Sequence, residues 1–206
     1  IRGIGERSGY QGTPNSSVGF LIDDIDYSGQ GGIATLFDVD QVEVFRGPQG
    51  SRSGANALAG LIYIKTKDPT EKFEGTSELT LGDYGTQNIG IAFGGPMQNK
   101  KLKYRLVLRT DYADGFRKNV YLNKSNTSKK DELTLRYKLN WELNETTNLD
   151  FLVSKVDMDD PADIWTIDGS LNTLSDRPGM DSQNTNSYGI KITKDFSNFI
   201  VQSLTS

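Results

Sequence analysis

Histidine and cysteine are both missing from this 206-residue chain. Without Cys there is no disulfide framework and no thiolate metal site. Without His the commonest general base and the commonest metal ligand are gone, which argues against hydrolase or metalloenzyme chemistry. A positive excess is also missing. The 23 Lys and Arg stand against 27 Asp and Glu, the net charge is −4 and the pI is about 5.0, whereas a nucleic-acid binder ordinarily carries a basic footprint. No apolar run approaches the roughly 18 residues of a membrane helix, and the mean hydropathy is −0.52. This excludes a helical membrane protein but not a membrane β-barrel, whose alternating strands barely register in hydropathy. The opening "IRGIG" has no Met, charged n-region or cleavage site, and reads as a trimmed or partial chain.

What is present falls into two grammars. Residues 1–70 are Gly-rich, with short apolar runs at "VGFLID" (18–23), "QVEVF" (41–45) and "LIYIKT" (61–66), which predict buried strands bounded by turn-formers. "ATLFDVDQ" (34–41) is expected to hold a short helical turn. Residues 71–206 alternate instead. In "ELTLRYKLNWEL" (132–143), Leu133, Leu135, Tyr137, Leu139, Trp141 and Leu143 share one face, and Glu132, Thr134, Arg136, Lys138, Asn140 and Glu142 share the other. A period of 2 is a strand between an apolar phase and a polar one. "LKYRLVLRTDY" (102–112) repeats the pattern with Val107 as the exception, and weaker copies at 75–82, 88–94, 148–156 and 187–194, with another start near Asn198, bring the expected number of strands to about seven.

Connections at 83–85, 95–101, 144–146 and 195–198 are short, and those at 113–130 and 158–186 are long. Outer-membrane barrels keep short turns on one side and long loops on the other. A soluble antiparallel sandwich alternates as well. Strand lengths near the ~9–11 residues of a tilted crossing favour the membrane, with Tyr112, Tyr137 and Trp141 suited to interfacial girdles.

"RGPQGSRSGANALAG" (46–60) poses the chemical question. It lacks the Gly-x4-Gly-Lys-Ser/Thr spacing of a phosphate-binding loop, and no Gly-x-Gly-x-x-Gly occurs at Gly3 or Gly29. A geometric role remains, since Gly tolerates positive φ and Pro48 fixes φ. With its flanks, "VEVFRGPQGSRSGANALAGLIYIKTKDP" resembles the second half of the plug domain of TonB-dependent outer-membrane receptors. Val42-Glu43-Val44, Arg46-Gly47-Pro48, Gly50, Gly54, Ala57, Gly60, Ile62, Ile64 and Thr66 match in register. "IRG" (1–3), "FLIDDIDYS" (20–28) and "FEGTSELTLGDYGTQNIGIAFGGPM" (73–97) resemble the family's mid-plug Arg-Gly, a plug strand and the first barrel hairpin. Ser53, Ala59, Tyr63 and Asp24 depart from the pattern, Asp24 replacing the Gly of an "Asp-Gly" turn.

The resemblance implies a mainly β protein: 1–70 as the C-terminal part of a plug with a small mixed α/β sheet, and 71–206 as the first ~7 strands of a large barrel. It implies a receptor in the bacterial outer membrane that imports a scarce ligand using TonB and the proton-motive force. A ferric siderophore is the favoured ligand, with cobalamin or carbohydrate as alternatives. A passive porin-like barrel and a soluble β-rich binding module are the competing readings. Implied partners are the TonB complex, outer-membrane lipid and a small iron chelate, with no cofactor, metal, nucleic acid or covalent chemistry. The Ton box and the early plug are expected to precede residue 1, and this stretch by itself is not expected to transport. The implied plug motif is Arg2, Gly3, Glu43, Arg46, Gly47, Pro48, Gly50, Gly54 and Gly60, with Arg46 and Arg2 pairing barrel carboxylates. Tyr10, Gln11 and Gln30 are expected at ligand-facing apices. "DMDDPAD" (157–163) offers oxygen ligands that a hard cation would favour, but it lacks the EF-hand glycine and terminal glutamate, so a solvated acidic loop is expected.

Overall fold

The computed structural model describes residues 16–30, 33, 35–50, 57–97 and 100–206. The chain divides into two compact units, Ile1–Asp68 and Pro69–Ser206.

In the first unit, β1 (Val18–Ile22), β2 (Ile25–Asp26), β3 (Val39–Arg46) and β4 (Gly60–Thr66) form a mixed sheet in the order β2-β1-β4-β3. β1 runs parallel to β4, and β2 and β3 are antiparallel to their neighbours. Apolar residues concentrate where both faces are covered. Leu21, Ala57, Leu61 and Tyr63 make the core, Phe45 packs against it, and Leu61 and Ala57 are fully buried. A Cβ at Gly19 would stand 2.7 Å from that of Ala57, so this strand passes its neighbour only as glycine. The helical turn expected at 34–41 is absent where described. Phe37–Asp38 is a turn, with Asp38 at φ 59°, and β3 already starts at Val39. Residues 51–56 lie outside the described residues.

The Asp24 departure is explained by its backbone. Asp23 and Asp24 have φ of 49° and 70°, and Ile22 pairs with Ile25 around them. A two-residue hairpin needs such a left-handed pair, and Asp reaches that region at less cost than most side chains. Asp23 also accepts hydrogen bonds from the Thr66 backbone N–H and hydroxyl, while Asp24 is exposed. Asp24→Gly is therefore expected to raise this unit's stability by about 0.5–1 kcal/mol, read as a later plug transition in calorimetry of the complete receptor. An unchanged or earlier transition would contradict the strain argument.

The second unit is a seven-stranded antiparallel sheet in the order β13-β12-β10-β9-β7-β6-β5. Its strands are β5 (Glu74–Leu81), β6 (Gln87–Pro96), β7 (Leu102–Ala113), β9 (Lys130–Asn144), β10 (Thr147–Ala162), β12 (Gly179–Asp195) and β13 (Ile200–Thr205). Two short strands, β8 (Lys118–Asn119) and β11 (Asn172–Thr173), pair in parallel between the two long loops. The long strands overrun their expected ends at the loop side. β12 begins at Gly179 and β10 continues to Ala162, so Asp157, Asp159 and Asp160 are strand residues and not a loop. Ser182, Asn184 and Asn186 share a face with Tyr188 but are polar. Where both faces are polar, a period of 2 leaves no trace in the sequence.

Candidate functional site

The long sheet is inverted relative to a soluble one. Following the register, Lys103, Arg105, Val107, Arg136, Lys138 and Thr134 lie on one face, and Leu106, Leu108, Leu135, Tyr137, Leu139, Phe151, Val153, Tyr188 and Ile190 lie on the other. The charged face is the buried one: Arg105 is 3% exposed and Arg136 6%. The apolar face is open, with Leu79 at 65% and Tyr188 at 64%. A water-soluble sandwich would bury the leucines, whereas a membrane barrel presents them to lipid and keeps polar groups on the other face. Val107, the apolar exception on the charged face, is 2% exposed beside Arg136 and Ala92.

The apolar face also has a sloping edge. One register line runs through Leu79, Ile89, Thr110, Leu133, Asp157 and Asn184. On β5 the apolar face reaches Leu81, two residues above that line. On β12 it stops at Tyr188, four residues below it. Six residues rise ~20 Å, while five strand spacings span ~24 Å, so a level apolar band requires strands tilted by ~40°, within the range of membrane barrels. Tyr112 and Trp141 lie toward opposite ends of the apolar face, but Tyr137 pairs with Leu106 and Val153 in its middle, which removes it from a girdle. At the short-turn end, Phe73, Phe93 and Tyr104 form a chain of ring contacts, and Phe196 stacks on Phe199.

On the charged face near that end, Lys103 donates to Glu142 at 2.6 Å and to Glu71, which precedes β5. Toward the loop end, Arg109 grips Asp111 with both Nε and Nη2 and also reaches Glu78. Such charge-assisted pairs fix the face's geometry.

The glycine-rich stretch is the connection of the β3–β4 hairpin. Gly47 N–H donates to Ala59 O (3.1 Å) and Gln49 N–H to Ala57 O (3.0 Å), while Ala57 and Ala59 N–H donate to Ser16 and Ser17 carbonyls. Gly47 sits at φ 107°, which a side chain would strain. Pro48 is exposed beside it, and Gly60 pairs with Arg46 at the hairpin's base. Glu43 and Arg46 are three residues apart on one strand, hence on opposite faces, so they do not form a pair of their own. Glu43 accepts from Gln41, and Arg46 is exposed. Lys65 leans to Asp68 (2.9 Å) and Asp23 (3.9 Å). Burial works against its charge, but these carboxylates outweigh it and raise its pKa. Gln30 is exposed in the turn after β2. Arg2, Gly3, Tyr10, Gln11 and Gly54 lie outside the described residues.

The feature that sequence reasoning missed is a polar hub between the two long loops. Asn119 Nδ2 donates to Asp163 Oδ2 and to Ser175 O, both at 2.8 Å. Thr173 Oγ1 donates to Asp163 Oδ2 at 2.6 Å, and Asp163 N–H donates to Thr127 O at 3.2 Å. Asn119 and Thr173 are fully buried and Asp163 is 3% exposed. Thr127 Oγ1 is buried nearby without a hydrogen bond of good geometry. Burial pushes the Asp163 carboxyl up, but the hydroxyl and amide donors and the Arg117 charge outweigh it and hold the pKa below the usual aspartate value. A depressed carboxylate pKa adds stability above the unfolded value and loses it as pH falls through the folded one. The hub is therefore expected to hold from neutral pH down to about 4 and to loosen below it. Amide exchange in 114–129 and 163–178, compared at pH 7 and pH 3 after correction for intrinsic rates, measures this. Equal protection at both would refute it. No group of three or more acidic residues placed for a metal occurs among the described residues.

Comparison with known proteins adds four findings. The TonB-dependent receptor plug domain family matches residues 1–61. The vitamin B12 transporter BtuB of Vibrio vulnificus is 24% identical over 158 residues, 70% of this chain and 26% of that protein. The pesticin receptor of Yersinia pestis is 30% identical over 115 residues, 56% of this chain and 17% of that protein. In structure, the ferric yersiniabactin uptake receptor FyuA from Yersinia pestis superposes with a TM-score of 0.79 at 22% identity, over 89% of this chain and 30% of that one. This likeness establishes the fold, and the chain spans less than a third of each of these relatives.

Proposed function

We propose that this chain, whose residues 1–61 match the TonB-dependent receptor plug domain and whose fold is that of an outer-membrane uptake receptor, forms part of the plug and the first seven strands of a TonB-dependent receptor that actively imports a ferric-siderophore complex. The observation that carries this reading is one chain joining the plug hairpin to a sheet whose leucines face outward and whose arginines are buried. The FyuA likeness supports an iron chelate as cargo, and the BtuB likeness keeps cobalamin as the second reading.

In the proposed mechanism the charged face lines the lumen and the apolar face meets lipid. Ligand enters from the side of the two long loops and meets the plug apices at Tyr10, Gln11 and Gln30. TonB, driven by the proton-motive force, then remodels the plug. Arg46, with Arg2, locks the plug through barrel carboxylates by charge-assisted bonds. No bond of the ligand is made or broken by the protein.

The test is fractionation of native membranes from iron-replete and iron-starved cells. Outer-membrane enrichment with induction on starvation supports the ferric-siderophore reading. Enrichment without induction moves the cargo to cobalamin or carbohydrate, and a soluble product defeats the receptor reading. For the lock, Arg46→Ala in the complete receptor is expected to loosen the plug, seen as faster entry of a hydrophilic antibiotic and an earlier plug transition. If neither moves, Arg46 is no lock.

A further inference from the structure

The two long loops belong to different pairs of strands, yet each supplies half of one small structure. Lys118 N–H donates to Leu171 O and Val120 N–H to Thr173 O, both at 3.0 Å, which makes the parallel β8–β11 pair. In a two-stranded ribbon alternate residues point to opposite sides. Asn119 and Thr173 point to the closed side, where Asp163 receives them both, and Lys118, Val120, Asn172 and Leu174 are exposed on the other. Asn119 further accepts from Leu122 N–H (2.8 Å) while donating to Ser175 O. One amide thus ties a turn of the first loop to the backbone of the second.

Most loops of this length contribute their own flexibility and are satisfied by water. Here the groups that close the gap are buried, hydrogen-bonded and partly ionic, so parting the loops would strand Asn119 and Thr173 donors and a buried carboxylate together. We infer that loops 114–129 and 163–178 form one rigid cover, welded at Asp163, that moves as a single body over the loop end of the barrel. Asp163 is a positioning residue in it. The cover carries Tyr121 and Trp165, exposed by 66% and 84%, one from each loop. With their scaffold shared, their separation is set before anything binds, which spares the ordering cost that separate loops would incur. The inference goes beyond the import reading and does not depend on the cargo.

The experiment uses the complete receptor in outer membranes and in detergent, with no ligand added. Asp163→Ala removes the acceptor, and Thr173→Val removes one donor while keeping its shape, in case the first variant assembles poorly. Hydrogen exchange is expected to accelerate by about tenfold or more in both loops for D163A, and by less but still in both for T173V. In parallel, K118C/N172C places a cysteine pair at the register partners of β8 and β11 in a segment with no other cysteine. Its disulfide is expected to form nearly completely on mild oxidation and several-fold more slowly with D163A added. Acceleration confined to 163–178, or cross-linking that D163A leaves unchanged, overturns the single-body cover. A receptor that proves to carry cobalamin leaves every one of these readouts as it was.

Discussion

Leu139→Arg is expected to destabilise the complete receptor's barrel by about 2–4 kcal/mol and to deplete it from the outer membrane. Leu139 is central on the apolar face, between Tyr104 on β7 and Phe151 on β10, where the proposed lipid contact is deepest. The control is Ser187→Lys, beside Tyr188 on β12 but on the opposite face. There the new charge joins a polar surface, and the cost should stay within about 1 kcal/mol. Folding into lipid vesicles with a denaturant series measures both. If the two substitutions cost the same, the face assignment is wrong.

Leu61→Ala should cost the plug about 2–5 kcal/mol. Leu61 is fully buried on the central strand β4, in a cluster with Leu21, Ala57 and Tyr63, and its side chain also lies against the space that only a glycine leaves at position 19. The strands on either side are pinned by their ladders, so the hole cannot collapse fully. The expected reading is a plug transition displaced to lower temperature while the barrel transition stays in place. Displacement of both by equal amounts would mean that the two do not unfold separately.

How much of this was legible in the sequence follows from where burial differs between the faces. Leu133 to Leu143 announce β9 to within a few residues because each apolar residue is flanked by polar ones. Asn184 and Asn186 hide the start of β12, since they are polar on the same face as Tyr188. The glycine-rich hairpin was legible as a structural unit once its spacing had failed the phosphate-loop patterns, but the left-handed Asp23–Asp24 pair was not, because Asp gives no sign of the φ it takes. Asp163 looked like one acid among several in "DMDDPAD". Its partners Asn119 and Thr173 lie 44 and 10 residues away, and no local pattern links an Asn in one loop to an Asp after another strand.

The sloping edge of the apolar face carries a consequence for the whole wall. A drop of six residues over five strand-to-strand steps is about 1.2 residues per strand, and around the wall of the proposed barrel it would accumulate in proportion to the number of strands. A closed cylinder must meet its own first strand with that offset, in whole residue pairs. Closure is thus a constraint on the sum of all registers. Inserting or deleting one residue in a single strand, say between Leu133 and Leu143, would either be expelled locally as a bulge or send its misfit around the circumference to the seam where the last strand meets β5.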